Sequence, residues 1–516
     1  MTIVVFAATR ASGYAVGPAV PLEELAKKAD LVCKATVVAD RPATDAWFEA
    51  HLGFEVRETE LRVVSIVKGA PGTKVVRFRH YAPAPAGAVG PYAPQSYRFT
   101  AGRSYLVFAS KASGDVYRQL SKQHTMKADQ GALLAADDKP HRGATITEVA
   151  WAELRGLLAS TTADDAVYAI GQLDEMSGNR MIGLKDLERR AALDAIRPLV
   201  LAKQAPVATA AIAVFGGDSP YYDDRLASFW LAGVGKGSIP GLSPLKPSAA
   251  PAAGVAAKEL LAVADGPASP DLRALAIRAL GRAAPAGKPA AWGRDPDVSV
   301  RRAAVLVSAE LADRKLIASG ATDGAPEVRQ AAALAIGFTQ DPALLPALDA
   351  LLKDAAPKVR TAAALSLLSF AIDQSAAVMK AHLGSDFRPL FVNALARKDP
   401  QPYLPQLAEV IEKQLRPNDW WGGSIPAGDS WSILFGYIKT RPAAELTAGK
   451  LDRSLDALER MSWFSSSEPR DLYALYLRRG LPARAKRFRD AVRKASSFDM
   501  DYYFDMADKS PSTYVP

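Results

Sequence analysis

Five histidines and one cysteine are all that the chain offers for soft metal ligation or thiol chemistry, and their spacing favours neither. His51, His80, His124 and His141 fall near the N-terminal end and His382 far downstream. None has a second histidine two, three or four residues away, the intervals that place two ligands on one strand or helix face. Cys33 lies in the apolar run Ala29 to Val38, where a thiol is an inert core side chain, and a single cysteine excludes an internal disulfide. The sequence has no G-x-S-x-G elbow, no H-E-x-x-H, no C-x-x-C and no phosphate loop; Gly235-Lys236-Gly237-Ser238 has the wrong order for one. No catalytic residue, metal or cofactor is expected.

Cations and aromatics offer more. Arg77, Phe78, Arg79, His80 and Tyr81 alternate charge with rings, the pairing that grips phosphates and stacks bases. On a strand, Arg77, Arg79 and Tyr81 share one face and Phe78 and His80 the other, so a core Phe78 behind a solvated basic face is the plainer expectation. A second cluster, Arg478 to Lys494, holds eight cations (Arg478, Arg479, Arg484, Lys486, Arg487, Arg489, Arg493, Lys494) against the lone Asp490. Arg77, Arg79, Tyr81, Arg484 and Arg487 are the candidate partner contacts. A formal net charge of +9 and a pI near 9.3 suit an acidic partner or a phosphate surface.

The elements that position these residues announce themselves by repetition. Leu272-Arg273, Val300-Arg301, Val328-Arg329 and Val359-Arg360 each open a run of small apolar residues at helical spacing, and the arginines recur at intervals of 28, 28 and 31. Asp295, Asp323 and Asp354 stand six residues ahead of their arginines; Pro270, Pro326 and Pro357 stand three ahead. Asp caps exposed amides and Pro tolerates a first helical turn, so each phrase marks a loop entering a helix. Gly281 and Gly337 are expected to close their units. Alanines at 331, 332, 335, 362 and 363 allow close helix approach.

The pattern D-x-x-P-x-V-R-x-A-A resembles the HEAT-like repeat family. The match is close around Arg329 and Arg360 and looser at Arg301, which lacks the Pro, and at Arg273, which lacks the Asp. The resemblance implies a stack of antiparallel helix pairs in which Arg273, Arg301, Arg329 and Arg360, with Asp295, Asp323 and Asp354, are structural ties between neighbouring units. Such arrays leave one long surface open for a partner.

Between Pro21 and Arg142 the periodicity changes. Leu22 to Lys28 reads as a short helix. Strands follow at 30–39, 54–68, 74–81, 104–110 and 115–120, separated by Gly and Pro turns. Strands with few helices between them indicate a small antiparallel barrel or sandwich. The phrases EELAKKADLVCKATVV, RVVSIVKGAPGTKVVRF and FTAGRSYLVFAS resemble bacterial modules similar to the OB-like barrel of tissue metalloproteinase inhibitors. Protease inhibition does not carry over, because those inhibitors depend on an N-terminal cysteine and several disulfides.

Four segments result: a leader or disordered start at 1–20, an OB-like β-barrel at 21–142, an all-α HEAT-like solenoid at 143–398 and a helical C-terminal cap at 399–516. Thr145 and Glu148 form a capping box for the first solenoid helix. Helices are expected at 163–176, 184–201, 206–215 and 224–231, a loop at 233–254, and paired helices in the cap, whose large aromatics include Trp420, Trp421, Trp431, Trp463 and Phe464. The apolar run Ile3 to Ala8 favours export to the periplasm or outside, with a cytoplasmic location as the alternative. No run reaches the ~18 apolar residues of a membrane span. Composition, 49% hydrophobic and 23% charged, fits a folded multidomain chain. The expected function is a non-catalytic scaffold for a protein or peptide partner. A nucleic-acid binder using the barrel and the basic C-terminal helix, and a HEAT-like lyase or modifying enzyme, are the alternatives.

Overall fold

The computed structural model describes residues 19–51, 53–84, 94–122, 131–178, 187–216, 251–414, 425–447, 449, 451–461, 467–495 and 501–509. The apolar start, His124, the helix expected at 224–231, Gly235 to Ser238, Trp420, Trp421, Trp463, Phe464 and the tail after Lys509 lie outside these residues. The described chain divides into two compact units, 19–216 with 251–284, and 285–509. Among the described residues no helix is long and apolar enough to cross a membrane.

The first unit opens with α1 (Leu22–Lys28) and the strands β1 (Leu31–Pro42), β2 (Phe54–Lys68), β3 (Val75–Pro83), β4 (Ser104–Ser113), β5 (Val116–Arg118) and β6 (Ala132–Leu134). They form one six-stranded sheet in the order β1-β2-β3-β5-β4-β6, with β1 also paired to β4. The expectation of a wholly antiparallel arrangement is corrected at one pair, because β5 lies parallel to β3, with Arg77, Phe78 and Arg79 opposite Val116, Tyr117 and Arg118. The direction follows from connectivity. Strands β2 and β4 both run antiparallel to β1, and β3 and β5 return antiparallel to β2 and β4, so these two run the same way. Strand β6, three residues long, was not legible in the sequence.

Strand β1 is buried on both faces over 31–37. Leu31, Cys33, Ala35 and Val37 enter a core with Leu61, Val76, Phe78, Tyr97 and Val107. Lys34 points the other way, toward the helices that follow: α2 (Ile146–Leu158), α3 (Ala163–Met176), α4 (Arg189–Ile196), α5 (Ala205–Gly216), α6 (Pro251–Val255), α7 (Ala257–Asp265) and α8 (Pro270–Leu280). The Thr145–Glu148 capping box opens α2. These helices share one compact unit with the sheet. Lys34 binds Glu153 of α2 at 2.7 Å, and Arg103 binds Asp165 of α3 at 2.6 Å. The loop expected at 233–254 is corrected at its end, where α6 begins at Pro251.

The second unit contains α9 (Lys288–Trp292), α10 (Val298–Glu310), α11 (Arg314–Gly320), α12 (Pro326–Thr339), α13 (Leu345–Leu351), α14 (Pro357–Leu367), α15 (Ile372–Ala381) and α16 (Arg388–Lys398). After them come α17 (Leu404–Gln414), α18 (Ile425–Lys439), α19 (Ala443–Thr447), α20 (Asp452–Met461), α21 (Ser467–Arg478), α22 (Pro482–Ala495) and α23 (Asp501–Lys509). The helices that begin at the repeated phrase, α10, α12 and α14, pack side by side as a solenoid row. Gly337 does not terminate its unit as expected; it lies inside α12. A Cβ there would stand 2.6 Å from the Ser366 side chain and 2.9 Å from its Cα, so the glycine permits the close approach of α12 to α14. The helix ends instead at Gln340, whose φ of 50° is the left-handed conformation of a C-cap. One core runs from Val392 and Ala396 of α16 through Leu407, Leu434, Leu458, Tyr476 and Phe488 to Phe504.

Candidate functional site

The repeated aspartate and arginine form a ladder. Arg301 clasps Asp323 with Nε and Nη2 at 2.9 and 3.0 Å, and Arg329 clasps Asp354 with the same two nitrogens at 2.6 and 3.0 Å. The Nη1 of each arginine donates back to its own loop, Arg301 to the carbonyls of Asp295 and Pro296, Arg329 to those of Asp323 and Gly324. Each aspartate also accepts the amide two residues on, Ala325 for Asp323 and Ala356 for Asp354, which closes the turn ahead of its helix. The clasping arginines hold both carboxyls below the usual carboxylate range. One carboxylate thus shapes its own loop and binds the preceding repeat. Arg360 repeats the anchoring half, with Nη1 on the carbonyls of Asp354 and Ala355, but no carboxylate meets it among the described residues. Arg273, in the first unit, donates to the Ala264 carbonyl, and Asp295 accepts the Asp297 amide.

Behind the ladder, the residue after each arginine, Arg302, Gln330 and Thr361, is half-buried at an equivalent place on its helix. Helices α10, α12 and α14 contact one another extensively, whereas α11, α13 and α15 touch one another little.

On the sheet, the cation-aromatic strand is satisfied from within. Arg77 forks onto Asp115, and Arg79 binds Glu58 at 2.9 Å and Asp45 at 3.1 Å. Arg118 adds a bidentate pair to Asp45. Burial works against the Asp45 charge, but hydrogen bonds from Arg118, Trp47 and Arg79 outweigh it and lower the pKa. Tyr81, expected beside Arg77 and Arg79 on the exposed face, is 1% exposed. Residues 48–51 cover it: its hydroxyl donates to the Glu49 carbonyl and its ring meets Phe48 and His51 edge-on.

Two clusters escaped the sequence reading. Lys34, 1% exposed, is held by Glu153 and by Asp137 at 2.6 Å. Burial kept it from view, since nothing in a strand of hydrophobic neighbours distinguishes a paired lysine from a surface one. His80 is likewise buried, its Nδ1 on the Tyr81 carbonyl and its Nε2 2.8 Å from the Thr59 hydroxyl. A Thr–His couple suggests a nucleophile and its base, but Thr59 has no exposure and cannot meet a substrate. His141 pairs with Ser65 and His382 with Asp349. Among the described residues no group of three or more His, Cys, Asp or Glu is placed to hold a metal. Burial pushes the Cys33 thiol up to about 12, which keeps it protonated.

Most of the basic C-terminal stretch folds as α22, and two of its arginines, Arg484 and Arg489, turn inward. Arg484 reaches Asp452, Asp456 and Glu459 of α20. Arg489 reaches Asp501, Asp505 and Asp508 of α23, and Arg493 also binds Asp501. Arg487, with Arg478, Lys486 and Lys494, stays exposed and has no ion partner among the described residues.

With that geometry in place, comparison with known proteins is specific for one region. A family model described as HEAT repeats matches residues 290–369 and, overlapping, 314–398. This stretch is built of HEAT repeats. It contains both complete ladder rungs and the anchoring half at Arg360. Solved structures similar to the chain include yeast importin-β (Kap95p), at 12% identity over 69% of this chain and 48% of that one, TM-score 0.41. The complex of Kap95 with Nup1 matches at 13% over 71% and 54%, TM-score 0.43. YibA of Escherichia coli matches at 15% over 54% and 90%, TM-score 0.32. The chain spans about half the length of the Kap95 chains it matches. No curated protein matches it.

Proposed function

We propose that the protein is a non-catalytic interaction scaffold whose row of motif helices, α10, α12 and α14, holds a protein or peptide partner. The observation that carries the proposal is the ladder. It fixes successive HEAT repeats in register and sets Arg302, Gln330 and Thr361 at equivalent half-buried places along one side. Contacts along this row are denser than along α11, α13 and α15, so the motif helices form one continuous packed row. A preformed row of this kind takes an extended or helical segment without having to order itself first.

The sheet is the second part of the proposal. Pairing of β1 with both β2 and β4, and of β3 with β5, supports an OB-like barrel. Its basic strand supports a nucleic-acid role poorly, because Arg77 and Arg79 already bind Asp115, Glu58 and Asp45. The test is capture from the source cell with the parent chain and with Gln330→Trp plus Thr361→Trp as baits. One captured protein is expected to fall about ten-fold with the variant while the melting temperature stays within about 2 °C. An unchanged set of captured proteins contradicts the proposal.

A further inference from the structure

The two arginine clusters of α22 are built to one plan. In α20 the sequence is Asp452-x-x-Leu455-Asp456-x-Leu458-Glu459, and in α23 it is Asp501-x-x-Phe504-Asp505-x-Ala507-Asp508. The acids stand at i, i+4 and i+7 on one helical face, and the apolar residues at i+3 and i+6 are fully buried in both helices. Each acidic face meets an arginine of α22 lying over a tyrosine of α21. Arg484 is 5.5 Å from the Tyr476 ring, and Arg489 is 5.9 Å from the Tyr473 ring. The i+4 carboxylates, Asp456 and Asp505, accept from Arg484 and Arg489 at 2.8 and 2.6 Å. The i+7 carboxylates also accept the tyrosine hydroxyl, Tyr476 to Glu459 at 2.6 Å and Tyr473 to Asp508 at 2.8 Å.

The copies differ at the last acid. Glu459 reaches the Arg484 Nε at 2.6 Å, whereas the shorter Asp508 meets Nη1 of Arg489 and leaves the buried Nε of Arg489 without an acceptor. The outer clamp is therefore the less complete one. We infer that the cleft of Tyr473, Phe488, Arg489 and Arg493 is a binding site for an acidic amphipathic helix of a partner protein, and that α23 is a tethered occupant that such a helix displaces. The partner carries Asp, an aromatic or leucine, Asp and Glu at i, i+3, i+4 and i+7. A glutamate in the last position completes the arginine. The site is separate from the α10–α14 row and stands or falls independently of it.

A labelled peptide spanning residues 500–510 with Asp508→Glu is the probe, read by fluorescence anisotropy against the full-length chain. Because a tethered competitor lowers apparent affinity, full-length Phe504→Ala is expected to bind the probe about ten-fold more tightly than the parent, and adding Arg489→Gln to remove that binding. The native-sequence peptide is expected to bind several-fold more weakly than the probe. Should Phe504→Ala lose its cooperative melt, Asp505→Asn, at an exposed carboxylate, takes its place. No saturable binding by a variant that still melts cooperatively overturns the proposal, as does binding that survives Arg489→Gln. A doubled mass in light scattering that Arg489→Gln abolishes would make the occupant a second copy of the chain and overturn a foreign partner.

Discussion

His80 sits among the rings of Phe78, Tyr97 and Phe99, and burial lowers its pKa from 6.5 to about 4. Its neutral form donates from Nδ1 to the Tyr81 carbonyl, so Nε2 and Asp40 both seek the one proton of the Thr59 hydroxyl, 2.8 Å from each. In the unfolded chain the imidazole takes up a proton as pH falls below 6.5; in the folded chain it resists until about 4. The folded state thus loses stability as pH falls through that window, by about 3 kcal/mol in all. Urea unfolding from pH 7 to 4 is expected to show this slope in the parent and to lack that part of it in His80→Gln. Asp45 and Glu58, whose pKa values are lowered, add a loss at still lower pH in both proteins. Parallel curves for the two proteins would show that His80 is not held neutral. Sequence parity placed His80 with core Phe78 correctly, but it could not supply the cover that 48–51 lays over Tyr81.

Among elements, the ladder makes a graded claim. Arg329 ties its helix to the next loop through a carboxylate that is 9% exposed, so Arg329→Ala leaves the Asp354 carboxylate with only the Ala356 amide and strands two carbonyls. Arg360→Ala strands only two carbonyls, at the edge of solvent. Arg329→Ala is expected to cost about 2 to 3 kcal/mol and Arg360→Ala about 1 kcal/mol or less, by urea or thermal unfolding. Equal losses would mean that the carboxylate clasp adds nothing. The ladder was legible because its parts are polar, close in sequence and periodic: the Arg recurs in all four phrases at the same offset from small apolar residues, with the Asp and the Pro each in three of them. Gly337 was misread because a glycine near the end of a helix pattern looks like a cap, and only the partner helix shows that its missing Cβ makes room for Ser366. The acidic faces of α20 and α23 were legible in principle as two eight-residue phrases with acids at matching offsets, 49 residues apart by their numbering.

For the whole molecule, the sequence separates sheet from helices by periodicity, and in the structure the sheet and the helices up to α8 form one compact unit. Local pattern reports which elements form. It does not report that Lys34 of β1 and Glu153 of α2 bury a charge pair that joins sheet and helix in one unit. The HEAT repeats at 290–398 are the part in which local pattern and long-range packing agree, and the scaffold proposal rests on them. A photo-reactive residue placed in turn at Gln330, Thr361 and, in the turn that follows α13, Lys353 tests it most directly when the full-length protein is irradiated in its source cell. The account predicts that positions 330 and 361 crosslink to one and the same protein and that 353 does not. Crosslinks from 353 alone, or none from 330 and 361, would contradict it.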